Sequence, residues 1–251
     1  MIDGELTFAL AGLIGFFAQL VDGSMGMGYK TSSTALLLST GITPLIASSS
    51  VHSAGVLVSA ISGFTHWKLG NVRRDLFQRL IIPGVIGGVI GAALLSVIPT
   101  AIIKPLVAIY LVLMGLRILW KAFGNHIQTG NPKVRIRFLG LAGGFFDAIG
   151  GGGWGPIVTS TLVMKGFEPR YVIGSVNAAE VVVSAAQAIT FLALLGSLDW
   201  HVVGGLLLGG AIAAPFAAYA TQWIPARKFM FAVGFLVIIL SLRTLLVALG
   251  L

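Results

Sequence analysis

Long apolar runs separated by short polar or glycine-rich breaks make up almost the whole chain, and within the runs apolar and polar positions do not alternate. Ile81–Ile98, Ile102–Trp120, Val172–Leu195 and Phe229–Leu249 are close to the about 20 residues that a helix needs to cross a bilayer. A membrane barrel would read as short alternating segments instead. In the first half the pattern predicts five helical segments, Leu6–Val21, Tyr29–Ser39, Pro44–His66, Phe77–Ile98 and Thr100–Lys121. The second of these, like Trp154–Met164 further on, is too short for a full span, which predicts pieces that enter and leave the membrane without crossing it.

The pattern occurs twice. Ser50-Val51-His52-Ser53-Ala54 matches Ser175-Val176-Asn177-Ala178-Ala179 at an offset of 125 residues. Asp22, Gly26, Gly28, Thr34, Leu37, Gly41 and Pro44 meet Asp147, Gly151, Gly153, Thr159, Leu162, Gly166 and Pro169 at the same offset. Ile98-Pro99 and Leu116-Arg117 meet Ile224-Pro225 and Leu242-Arg243 at 126, so one insertion aligns the rest. The division expected is a transmembrane repeat at 1–122, a cytoplasmic linker at 123–136 and a second repeat at 137–251. An odd number of segments per half makes the second repeat inverted relative to the first.

Composition agrees with this reading: 57% of residues are hydrophobic, 10% are charged, and the mean hydropathy is +0.99. These values lie outside the range of soluble domains. The net charge of +8 does not point to nucleic acid, because the basic residues sit in short loops without interleaved aromatics. Thirteen of the 16 fall at Lys68–Arg79, Arg117–Arg137, Lys165–Arg170 and Arg227–Lys228. One threading makes all four regions cytoplasmic, as basic loops are expected to be, and puts both termini outside. Asp3 and Glu5 before the first run argue against a cleaved signal peptide. The chain has no cysteine and four scattered histidines, so neither a metal site nor a cofactor is indicated.

Candidate chemistry gathers at two glycine-rich breaks, Asp22–Gly28 and Asp147–Pro156. So many glycines make a continuous helix costly, and Pro156 suits the first turn of a new one. Unwound backbone inside a membrane must face protein or a water-filled cavity. The N–H groups that open the next half-helix form an anion cradle there. Gly26, Gly28, Gly151, Gly153, Trp154 and Gly155 are therefore candidate substrate contacts, although close helix packing also explains glycines and accounts for Gly84, Gly87, Gly88 and Gly91. Paired short, glycine-interrupted segments in inverted repeats point to a transporter substrate site.

A second constellation is the stripe Asn177, Glu180, Ser184 and Gln187, which shares one helical face. Its equivalent is His52, Gly55, Ser59 and Ser62. A polar stripe on an apolar helix faces the bundle interior, either for substrate or for interhelical hydrogen bonds. Asp22, His52, Asp147 and Glu180 are candidates for proton coupling, with helix capping the alternative for the two aspartates. Lys30 has three open roles: pairing with Asp22, contacting an anion, or snorkelling outward.

The Gly-x-x-Pro motifs Gly41–Pro44 and Gly166–Pro169 follow the breaks and lead to Ser-Val-His or Ser-Val-Asn on the next helix. With these features the chain resembles the TauE/SafE family of sulfite exporters and anion permeases. The resemblance implies export of small sulfur-containing anions across a bacterial inner membrane. The first break, Gly-Ser-Met-Gly-Met-Gly, departs from the more glycine-rich form common in that family. The expected function is thus an alternating-access transporter, not an enzyme, with a small anionic substrate and the lipid bilayer as partners. A homo-oligomer is compatible with the sequence. Alternatives are a permease or channel for another small anion or carboxylate, and, more weakly, an intramembrane hydrolase using Ser175 and His201.

Overall fold

In the computed structural model, residues 4–25, 28–123, 134–220 and 226–250 are described. The expected linker at 123–136, and Ile224-Pro225 of the repeat, lie largely or wholly outside them. The described residues form helices and connecting turns, without a strand. The first half holds α1 (Gly4–Met25), α2 (Tyr29–Ser39), α3 (Pro44–Lys68), α4 (Arg74–Val97) and α5 (Thr100–Phe123). The second holds α6 (Ile136–Gly150), α7 (Trp154–Met164), α8 (Pro169–Leu195), α9 (Trp200–Ala220) and α10 (Ala226–Ala248). The first part of α7, Trp154–Thr159, is wound as a π-helix before the α-turns of Ser160–Met164.

The two short helices end where local chemistry stops them. Gly41 and Gly166, equivalent in the repeat, both adopt left-handed backbone, with φ of 97° and 86°. Three residues later Pro44 and Pro169 open α3 and α8 at positions where no amide donor is needed. The Gly-x-x-Pro motif is therefore one turn executed twice. At 11 residues α2 extends about 16 Å, roughly half the hydrocarbon thickness of a bilayer. Five helices are long and apolar enough to cross: Pro44–Lys68, Arg74–Val97, Thr100–Phe123, Pro169–Leu195 and Met230–Ala248.

The halves interlock rather than lying side by side. α1 packs on α9 and α6 packs on α4, while α3 meets α8 and α5 meets α10. Exchanging the halves leaves this pairing scheme unchanged. Small residues set the closest crossings: a Cβ on Gly87 would strike the Leu141 carbonyl, one on Gly144 the Gly84 carbonyl, and one on Gly209 the Gly12 carbonyl. The packing explanation of Gly84, Gly87, Gly88 and Gly91 holds for all four, since each stands against a neighbouring element.

Polarity is distributed for a lipid solvent. Leu13, Phe17, Ile82, Leu113, Ile189 and Ile239 are exposed on the outside. Buried inside are Lys30, Thr31, Ser32, Ser33 and Thr34 on α2, with Ser48, Ser49, Ser50 and His52 on α3. Polar groups concentrated in the interior of an apolar bundle are the pattern expected of a membrane protein with a polar site.

Candidate functional site

Each glycine-rich break is closed by an aspartate that caps the helix after it. Asp147 Oδ1 accepts hydrogen bonds from the amides of Gly153 (2.7 Å) and Trp154 (2.9 Å) at the start of α7. Asp22 Oδ1 accepts one from the amide of Tyr29 (3.1 Å) at the start of α2. Tyr29 and Trp154 are themselves 125 residues apart, so the capping contact obeys the sequence repeat. Both aspartates thus take the place an external anion would otherwise have at these helix starts.

The second break is clamped by two elements, α2 and α5. Gly151 takes left-handed backbone (φ 63°), and its carbonyl accepts a hydrogen bond from Thr34 Oγ1 on α2. The Gly152 carbonyl accepts one from Tyr110 Oη on α5 at 3.0 Å. On the far side of α7, Arg117 donates to the Pro156 carbonyl and to Thr161 Oγ1. Side chains at residues 151–153 would collide with Thr34, the backbone at Lys30 and Thr31, and Tyr110, so the glycines let α2 and α5 touch the break directly.

Lys30 lies at the centre. Its Nζ is 2.7 Å from Asp147 Oδ2, 2.7 Å from Glu180 Oε1 and 3.2 Å from Ser184 Oγ. Of the three roles open for Lys30, the structure shows an ion pair, made with Asp147 and Glu180 of the other half and not with Asp22. Asp147 Oδ2 also faces His52 Nε2 at 3.1 Å and Gln187 Nε2 at 3.3 Å. His52 Nδ1 is 2.7 Å from the Ser48 carbonyl, so both ring nitrogens face acceptors. The Asp147 side chain is wholly buried; that of Glu180 keeps 15% of its surface.

Lys30, Asp147 and Glu180 border a cavity with an interior of about 30 Å³, room for one or two waters. Gly28, Lys30, Ser59, Gly153, Trp154, Gly155, Asn177 and Glu180 reach it, as do both aspartates. His52, Ser184 and Gln187 stand behind it as partners of Asp147 or Lys30. Gly151 contacts Thr34 instead, and Gly26 lies outside the described residues. Sequence reasoning missed Tyr29, Thr31 and Val58 in the lining. Tyr29 was within reach, being the repeat partner of Trp154; Tyr110 is an aromatic in an apolar run with no distinguishing signal.

On one flank Asn177 Nδ2 donates to Ser62 Oγ at 2.9 Å, joining α8 to α3. Beyond this bond a groove of about 540 Å³ opens between α1, α3 and α9, and it shares Val58 and Ser62 with the cavity wall. The groups suggested for hydrolysis are engaged elsewhere: Ser175 Oγ accepts from the Arg73 amide at 2.8 Å, and His201 is exposed beside Asp199.

The sulfite exporter TauE/SafE family model matches residues 11–244, nearly the whole chain. The chain belongs to the TauE/SafE family. A relative from Bacillus subtilis (strain 168), described as "Probable membrane transporter protein YtnM", is 42% identical over 243 residues, covering 93% of this chain and 81% of its own. No solved structure matches the chain. Membership makes the chain a multi-pass membrane transporter, in agreement with the apolar helices and polar interior. Within this TauE/SafE chain the Ser-Val-His and Ser-Val-Asn motifs bring His52 to Asp147 and Asn177 to the cavity.

Proposed function

We propose that the chain carries small sulfur-containing oxyanions, such as sulfite or organosulfonates, across the inner membrane by alternating access between two inverted repeats. The observation that carries this reading is the convergence of two half-helix starts, at Tyr29 and Trp154, on one cavity beside a buried ammonium, Lys30. In a helix start the first N–H groups have no intrahelical acceptor. After capping by the two aspartates, the amides of Lys30, Thr31 and Gly155 are the ones left to meet an oxyanion, with the Asn177 amide and the Ser59 and Ser62 hydroxyls beside them.

Alternating access requires this cavity, of about 30 Å³, to widen around an oxyanion. In the orientation read from the basic loops both termini are extracytoplasmic. An anion that crosses without ion coupling is driven outward by the membrane potential at about 2.3 kcal/mol per charge per 100 mV.

The test is binding of sulfite, sulfonates, sulfate and carboxylates to the purified protein, repeated with Asn177→Ala, Glu180→Gln and His52→Ala. Selective binding of sulfur oxyanions that these substitutions alter supports both substrate and site. A preference for carboxylates would turn the assignment to another anion, and no binding by a folded protein would sink it.

A further inference from the structure

The Lys30 ammonium has three hydrogens to donate and three acceptors in place: Asp147, Glu180 and Ser184. A substrate oxygen can reach that nitrogen only if one of them leaves. Asp147 is held by the Gly153 and Trp154 amides, and His52 and Gln187 also contact it. Ser184 is fully buried on α8. Glu180 is the one partner that both lines the cavity and keeps accessible surface.

Charge decides what happens to Glu180 when it leaves. Asp22 on α1, Asp147 on α6 and Glu180 on α8 gather around Lys30 on α2, with His52 of α3 on the far side of Asp147. With the three carboxylates ionised, these five groups carry one net negative charge if His52 is protonated and two if it is not. Among the described residues, the other elements packed on α8 offer no compensation there. α4 presents Gly84 and Gly88, and its charged residues Arg74, Asp75 and Arg79 lie in its first two turns; α7 presents Trp154. An anion added to this cavity meets repulsion, and a carboxylate freed from Lys30 is left unpaired in a low-dielectric interior.

We propose that the transported anion replaces Glu180 on Lys30 and that Glu180 takes up a proton as it leaves, so that anion and proton are bound and carried together. This rests on the substrate reading above. The Nζ–H···Oε1 contact breaks, a contact from Nζ–H to the anion forms, and the Glu180 carboxylate becomes a carboxylic acid with a proton from water on the open side. Release on the other side reverses each step. In the repeat, the counterpart of Lys30 is Gly155 and that of Glu180 is Gly55, so the exchangeable pair occurs once per chain. A singly charged sulfonate then crosses with its charge cancelled. Voltage does not drive it, and outward movement requires an anion gradient larger than the inward proton gradient.

The test is calorimetric titration of the purified full chain with methanesulfonate, which stays ionised at working pH, and with sulfite, in two buffers of different ionisation enthalpy. The expected result is uptake of about one proton per sulfonate bound, with affinity falling up to about tenfold per pH unit on the alkaline side. Glu180→Asp keeps the uptake; Glu180→Gln binds with no uptake and no pH dependence. Binding without proton uptake in the unaltered chain overturns the exchange and leaves the substrate reading standing. Failure of both anions to bind defeats the substrate reading, and the exchange with it.

Discussion

Lys30 and Glu180 form a 2.7 Å ion pair at positions whose repeat counterparts, Gly155 and Gly55, have no side chain. The two facts are linked. Gly55 lies beside the Lys30 stem, where an added Cβ would stand 3.5 Å from its Cδ, and Gly155 lines the same cavity. A second Lys–Glu pair would compete for the space that one pair now fills, so the duplication has been broken at the site itself. Lys30→Met strips the ammonium from two carboxylates and should destabilise the protein by about 3–5 kcal/mol. Adding Glu180→Gln should recover part of that loss. Thermal unfolding of both single variants and the double variant checks this; strictly additive effects would contradict the coupling.

The two capping aspartates are equivalent in sequence but not in load. Asp147 meets five donors, from Gly153, Trp154, Lys30, His52 and Gln187, whereas Asp22 accepts the Tyr29 amide. Asp22→Ala should cost about 1 kcal/mol, the usual value of a helix cap. Asp147→Ala takes one of two carboxylates from buried Lys30, leaves the Gly153 and Trp154 amides uncapped, and should cost about 3–5 kcal/mol. Comparison of unfolding temperatures in detergent distinguishes them, and equal losses would mean that the ion cluster adds nothing to the cap.

Much of this arrangement was legible in the sequence. The bounds Tyr29–Ser39 and Trp154–Met164 were readable to the residue, because glycine breaks and Gly-x-x-Pro turns are local signals. The stripe from Asn177 to Gln187 was readable from helical spacing, and the structure brings all four residues to the cavity or to the groups behind it. The partner of Lys30 was not readable. Asp22 lies eight residues before it and looks like the natural choice, but α2 reaches into the other half, where Asp147 and Glu180 wait. For the aspartates the sequence left helix capping and proton coupling both open, and the structure shows the capping contacts at each half-helix start.

Two left-handed glycines should respond differently to alanine. At Gly41 (φ 97°) nothing lies near an added Cβ, so Gly41→Ala carries backbone strain alone, about 1–2 kcal/mol. At Gly151 (φ 63°) the same change drives a methyl into Thr34, whose hydroxyl holds the break. Transport in proteoliposomes should survive Gly41→Ala and be lost in Gly151→Ala. Retention of full transport by the latter would show that the fit of α2 against the break is dispensable.

The Ser62–Asn177 hydrogen bond separates the central cavity from the groove between α1, α3 and α9, and it joins helices from opposite halves. If the substrate passes this way, α3 and α8 must part there in each cycle. The chain has no cysteine, so Ser62→Cys with Asn177→Cys introduces the only thiols present. Gly63 packs on the Asn177–Ala178 backbone, which keeps the two helices close enough at this level for a disulfide to be tested. Oxidation of the double variant should stop transport and reduction should restore it, while each single variant ignores oxidant. A cross-linked protein that still transports at the reduced rate would place the moving contact elsewhere and leave the Ser62–Asn177 bond as a fixed strut.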